Sequence, residues 1–454
     1  MEKTYQRLIP IFCSIVKELI SGFILLSAFL PCDTLAQGIK LISDEETEQF
    51  LAEIINPLFK AANITLYRNN IFIVEDSSLN AFVSDGNKMF VHTGTIINAD
   101  TIDELSGILA HETGHIMGGH IIRQKLKTQE MYKVSMISTI LAGVAGAVSG
   151  RGDAAMAVML GGQSSLLSHF TKYRTEEERS ADEAAIKLLN RTRQSPLGIL
   201  NFMKKIKQKN LTSGHDETPY FRTHPITNDR ISFFENALAN SPYKLASTSD
   251  IFLRVKAKIK AYLQKPEQTF REYDLERSDI PALYAHAIAY MKNLDFTKAL
   301  SKIDTLIQID KNNPFFYELK GQIYLETGKI KLAKQGFAKA YELCPKSHLM
   351  QINYAHAILE DKSSTDDVRL AIKLLEQALL HNQNSSSWVL LAKAYGDVGD
   401  MAKASYASAE YSFRIGNIDV AKKQLKNANK YKTSPQLKLK IDDLAHRIDT
   451  INKK

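Results

Sequence analysis

The chain has 454 residues, 44% of them hydrophobic and 24% charged, with no low-complexity tract. That is a globular composition with room for two or three domains at roughly 150 residues each, and it excludes disordered and fibrous classes. The net charge of +8 is concentrated late: residues 401–454 hold 12 Lys and Arg against 5 acids. Its few aromatic residues, Tyr406, Tyr411, Phe413 and Tyr431, do not make a patch that suggests nucleic acid, which is not an expected partner; the stretch reads as a solvated terminal face, with docking to an acidic surface as the alternative.

The N-terminus reads as an export signal covering residues 1–36. Lys3, Arg7 and Lys17 precede an apolar run from Leu19 to Leu30, and Thr34-Leu35-Ala36 is a small-x-small site with cleavage expected after Ala36. The competing reading is an uncleaved anchor, but 12 apolar residues fall short of the ~20 that span a bilayer. Of three cysteines, Cys13 and Cys32 lie in the signal, leaving Cys344 and no disulfide framework. A bacterial periplasmic location is the expectation.

Residues 43–95 alternate between helical and extended patterns. "EQFLAEIINPLF" has helical periodicity, whereas "NIFIVED" and "KMFVHTG" are apolar and β-branched, separated by turn residues at 76–78 and 85–87. A small antiparallel sheet is expected, with "KMFVHTG" as an edge strand whose Phe90, Val91 and His92 hold an extended substrate.

"ILAHETGHIMGGH" at 108–120 follows. On a helix, positions i and i+4 share a face, so His111 and His115 can meet one ion, and Glu112 can reach a water beside it. A core helix with hydrogen-bonded histidines is the competing reading. A third ligand is needed, with one position left open. "YRTEEERSADEAAIKLL" at 173–189 offers Glu178 as ligand and Asp182, four residues on, to hold a ligand histidine's free N–H. Thr175-x-x-Glu178 also reads as a capping box, which would turn Glu178 back on its own helix and leave Glu177 as the ligand. His224, before Pro225, sits on extended or turning backbone. It, or Arg230, is placed to stabilise an oxyanion, a contact worth roughly 3–4 kcal/mol; His224 can alternatively occupy the open metal position. His120 lies about 140° around an ideal helix from His115 and is expected to face away.

Between these motifs, residues 134–148 and 154–167 form two short apolar runs around "SGRGD". Each is below a bilayer span, so a helical hairpin is expected to cover the site or pack on the repeats; a membrane-dipping hairpin with peripheral contact is the alternative.

After a linker at 264–281, with Pro266 and Pro281, the chain repeats with a period near 34 residues. The clearest copy runs from Pro314 to Pro345, with Gly321, Tyr324, Gly328, Ala333, Phe337 and Ala340 at fixed positions. Others are built on Ala299, on Asn353–Ala378 with an insertion, and on Trp388–Ala404; a degenerate fifth starts at Gly416. Small residues where helices cross and large ones between are the tetratricopeptide pattern.

Taken together, "NAF" at 80–82, "FVHTG" at 90–94, "ELSGILAHETGH" at 104–115, "ERSAD" at 178–182 and "THP" with Arg230 and Ile231 resemble the BepA-like, HtpX-related zinc metallopeptidases. The resemblance spans nearly the whole chain after the signal. It implies a mainly α (α+β) protein: a zincin-like metallopeptidase domain at 37–263 followed by an α-helical tetratricopeptide solenoid at 282–454. It implies one Zn²⁺ per chain on His111, His115 and Glu178, with Glu112 as base, Asp182 behind the ligands and His224 as ligand or gate. Polypeptide substrates, and an outer-membrane protein assembly machine met through the repeats, are the implied partners. A chaperone-like repeat scaffold with a closed or vestigial peptidase site is the alternative function.

Overall fold

The computed structural model describes residues 40–65, 70–127, 174–212, 219–245, 247, 249–361, 364–381 and 385–451. The expected signal and the hairpin at 134–167 lie outside the described residues. Residues Leu41–Lys454 form one compact unit.

The first part is a four-stranded sheet backed by helices. β1 (Leu41–Ile42) leads into helix α1 (Glu45–Ala61), followed by β2 (Ile71–Val74), β3 (Ala81–Ser84) and β4 (Lys88–His92). The order across the sheet is β1-β2-β4-β3. β3 and β4 are antiparallel, joined at Gly86 and Asn87, whose positive φ values (78° and 58°) make the tight turn. β2 and β4 are parallel. The sheet is therefore mixed, not wholly antiparallel. The chain passes from β2 to the far edge before the hairpin brings β4 back between its neighbours.

That topology corrects the expected edge strand. β4 is an inner strand, hydrogen-bonded on both sides, so Phe90, Val91 and His92 have no free edge to offer a substrate. Phe90 stacks between Phe72 and Phe82 on the outer face, with both centroid distances 4.8 Å. Val91 is in the core and His92 is buried. The edge strand on this side, among the described residues, is β3.

Behind the sheet run α2 (Thr93–Asn98), α3 (Ile102–Met117), α4 (120–127), α5 (174–191), α6 (Leu197–Thr212), α7 (Pro219–Thr223), α8 (Asn228–Asn240) and α9 (Asp250–Leu263). Ile55, Leu58, Ile73, Met89, Leu109, Leu188, Met203 and Phe234 are among the residues that close this core. α3 starts where Thr101 accepts a hydrogen bond from the Glu104 N–H.

α9 faces two ways. Its Phe252, Val255 and Ile259 belong to the first core, whereas Ala257 and Ala261 belong to a second core with the repeats. The expected linker at 264–281 carries a helix, α10 (Pro266–Glu272), with Thr269 buried. Antiparallel helix pairs follow: α11 (Ile280–Lys292) with α12 (Phe296–Ile309), α13 (Pro314–Glu326) with α14 (Ile330–Leu343), α15 (His348–Asp361) with α16 (Thr365–His381), and α17 (Ser385–Asp397) with α18 (Met401–Arg414). α19 (Ile418–Ala428) and α20 (Pro435–Ile451) complete the stack. Within α13 and α14, Gly321 and Gly336 let the backbones approach: a Cβ on Gly336 would lie 2.9 Å from Gly321 Cα. No described helix is long and apolar enough to cross a membrane.

A buried charge cluster joins the two parts. Lys258 on α9 pairs with Asp44, the N-cap of α1, and with Glu46 at 3.2 Å. Glu46 also accepts a hydrogen bond from Tyr284 Oη of α11 at 3.0 Å, and Ser347 Oγ, just before α15, donates to Glu45 at 2.6 Å. Burial disfavours charge on Lys258, but Asp44, with Glu46 behind it, outweighs that and holds its pKa well above the ordinary range. Removing one partner strands the others without solvent. Lys258→Ala is expected to destabilise the protein by about 3–5 kcal/mol, measured by equilibrium denaturation; a change below about 1 kcal/mol would show that the cluster is solvated.

Candidate metal centre

The site is built on three segments. α3 supplies His111, Glu112 and His115, α5 supplies Glu178 and Asp182, and the turn after α7 supplies His224. α3 and α5 pack so closely at Gly114 that a Cβ there would sit 2.6 Å from the Ala181 carbonyl oxygen. This contact lies between the two histidines and the two acids and sets their separation.

His111, His115, Glu178 and His224 are all buried, and each offers one ligand atom within 4.8 Å of the others. The Nε2 atoms of His111 and His115 face each other at 3.1 Å. Glu178 places Oε2 3.4 Å from the first and Oε1 3.4 Å from the second. His224 Nδ1 is 3.0 Å from Glu178 Oε1 and 3.3 Å from His111 Nε2. Glu112 Oε1 lies 3.5 Å from His224 Nε2.

This donor set fits a metal ion. His111 Nδ1 sits 2.8 Å from Asp182 Oδ1, which leaves its Nε2 lone pair directed inward. Two imidazoles and a carboxylate, all buried and converging, suit a cation of the zinc type.

The charges show how the frame is held. Burial opposes a charge on His111, yet hydrogen bonds and charges from Asp182 and Glu178 raise its pKa to about 9. Burial, with His111 and His224 adding to it, carries His115 down to about 3 despite its hydrogen bond to Glu178. Burial would lift Glu178, but His224 and the surrounding imidazole hydrogen bonds hold it well below the usual carboxylate range. Glu112 moves the other way: burial raises its pKa, against His224 and His111. A carboxylate poised to accept a proton is what a base needs.

Arg230 is not free to meet a substrate. Its Nε and Nη2 donate to Asp182 at 2.7 and 2.8 Å, and Nη1 donates to the Pro225 carbonyl at 2.9 Å and lies 2.8 Å from Glu178 Oε2. The expected oxyanion role for Arg230 is thereby corrected: its fork is spent on orienting Glu178 and Asp182. Glu177, the fallback ligand, is buried outside the converging group and accepts a hydrogen bond from Gln124 Nε2 at 2.9 Å. Glu178 is four residues into a helix that is already running at 174 and points into the cluster, so it is not a capping residue.

Two contributors escaped the sequence reading. Tyr220 is fully buried and stacks on the His224 ring at 4.6 Å and 29°. His120, expected to face away, is fully buried with its Nδ1 2.8 Å from His115 Nδ1. α3 ends at Met117, and Gly119 takes φ 62°, so the ideal-helix angle does not apply beyond Gly118.

A helix carrying two histidines and a glutamate, completed by an acid from a second helix beside a small sheet, defines a metallopeptidase. Residues 45–238 match the family model described as peptidase family M48. Those residues carry a peptidase M48 domain, and the chain is a metalloprotease. It is similar to the beta-barrel assembly-enhancing protease of Yersinia pestis, 25% identical, with 84% of this chain and 79% of that one covered. The protein of the same name from Escherichia coli (strain K12) is 24% identical, over 86% of this chain and 80% of that one. Among solved structures, the chain is similar to a thermophilic TPR protein of Thermus thermophilus, with TM-score 0.28 and 17% identity over 39% of this chain and 92% of that one.

Gly114→Ala is expected to force α3 from α5 and destabilise the protein by about 1–3 kcal/mol, read by denaturant unfolding. Wild-type stability in that variant would mean that the helices part without cost.

Proposed function

We propose that the protein is a zinc-dependent endopeptidase of the bacterial periplasm that hydrolyses misfolded or misassembled envelope proteins. The observation that carries the reading is the buried convergence of His111, His115, Glu178 and His224 beside Glu112. Its similarity to proteases named for beta-barrel assembly supports the setting, with the repeats recruiting substrate or an outer-membrane assembly partner. The N-terminal 1–36 signal, cleaved after Ala36, would deliver it there. The domain limits we propose are 37–263 for the peptidase and 282–454 for the repeats, with 264–281 between them.

One Zn²⁺ per chain would be held by His111, His115 and Glu178. When bound, it supplies Lewis-acid polarisation of a carbonyl and acidifies water toward a pKa of ~7. Glu112 takes the proton of the attacking water and returns it to the leaving amine. Asp182 holds His111 at Nδ1, and Arg230 steadies both acids. His224 would occupy the fourth position at rest; displaced by substrate, its ring N–H would be available to the developing oxyanion. β3, which packs against α3, offers the edge on which an extended substrate can pair.

Glu112→Gln is expected to retain zinc and to lower turnover of an unfolded polypeptide by about 10²–10⁴-fold. The assay is cleavage by the purified mature protein. Wild-type turnover in this variant would overturn the role of Glu112.

A further inference from the structure

The two α3 histidines are supported differently. His111 has a carboxylate at Nδ1, Asp182 Oδ1 at 2.8 Å. Among the described residues, His115 has no carboxylate there; its Nδ1 meets His120 Nδ1 at 2.8 Å, with the rings edge to face at 78°. Two facing nitrogens at that distance share one proton, so one ring donates and the other accepts. If His115 binds a metal through Nε2, its Nδ1 must carry the hydrogen. His120 then accepts at Nδ1 and carries its own hydrogen on Nε2.

The backbone is shaped for this contact. α3 stops at Met117 and α4 resumes at 120, with Gly118 and Gly119 between. Gly119 has φ 62°, a conformation that side chains with a Cβ rarely adopt. A Cβ on Gly118 would overlap the His120 imidazole. A continuous helix would carry His120 to the far side; the two glycines return it beneath His115.

We propose that His120 is the positioning residue for His115: it accepts the His115 Nδ1 hydrogen, fixes the tautomer that presents Nε2 to the metal, and with Gly118-Gly119 forms part of the metal site. The proposal rests on the zinc reading above. Groups that hold a ligand histidine's second nitrogen typically contribute about 10–100-fold in metal affinity. An asparagine at 120 presents Oδ1 where the imidazole presents Nδ1, so it can still accept the hydrogen bond. A leucine fills similar space and cannot.

The test is zinc affinity of the purified full chain, by competition with a chromophoric chelator, for wild type, His120→Leu, His120→Asn and Gly118→Ala. Thermal unfolding of the zinc-free forms is measured alongside. The expected result is an about 10–100-fold loss of affinity in His120→Leu and in Gly118→Ala, with His120→Asn within a few-fold of wild type. Gly118→Ala leaves His120 intact and displaces only its ring, so it decides the matter should His120→Leu fail to fold. Wild-type affinity in Gly118→Ala, or a loss in His120→Asn as large as in His120→Leu, would overturn the proposal and leave the metal site standing. Absence of zinc binding in wild type would overturn both together.

Discussion

Everything at the site depends on keeping two acids ionised out of water. Glu178 and Asp182 are 5% and 2% exposed, and an isolated carboxylate there would take up a proton. Arg230 prevents that at Asp182 through a bidentate pair, and it also contacts Glu178, which His224 and the imidazole hydrogen bonds keep ionised. The charge of Asp182 is passed on to His111 Nδ1, and that of Glu178 to the space between the two histidines. Arg230 therefore works through the acids, although it stands six residues from His224 and would be within plausible reach of a substrate on spacing alone.

The frame around this network is rigid where it must be. Gly114 lets two helices meet at backbone distance, which brings residues more than sixty positions apart into one cluster. His224 arrives from a short turn and is flanked by the Tyr220 ring. Of the four converging residues it is the one not carried on a long helix, which suits the gating role proposed for it. At the other end of the domain, the Asp44–Glu46–Lys258–Tyr284 cluster fixes α1 and α9 to the first repeat. The apolar faces of α9 belong to two cores at once, so the peptidase part and the start of the solenoid pack as one body within Leu41–Lys454.

The proposed ligands were legible because their chemistry repeats at helical spacing. His111 and His115, and Glu178 and Asp182, are each i, i+4 pairs, and the structure brings all four together. The repeats were legible for the same reason: a period of helix-crossing alanines and glycines survives without any tertiary information. What escaped depended on events that local patterns do not encode. Apolar alternation identified "KMFVHTG" as a strand, but neighbour order depends on where β3 runs, so its inner position was hidden. His120 was misplaced because the angle was reckoned on an unbroken helix, although the Gly118-Gly119 pair was visible and signals an end to it. Arg230 was assigned to substrate because its partner Asp182 lies 48 residues away in sequence.

The measurement that tests the account most directly is the zinc content of the purified mature protein, by mass spectrometry, for wild type, His115→Ala and Glu178→Ala. The account predicts about one zinc per chain in wild type and loss in both variants. Wild type that stays empty after metal repletion would contradict it. Zinc retained by Glu178→Ala would contradict the ligand set on which the mechanism is built.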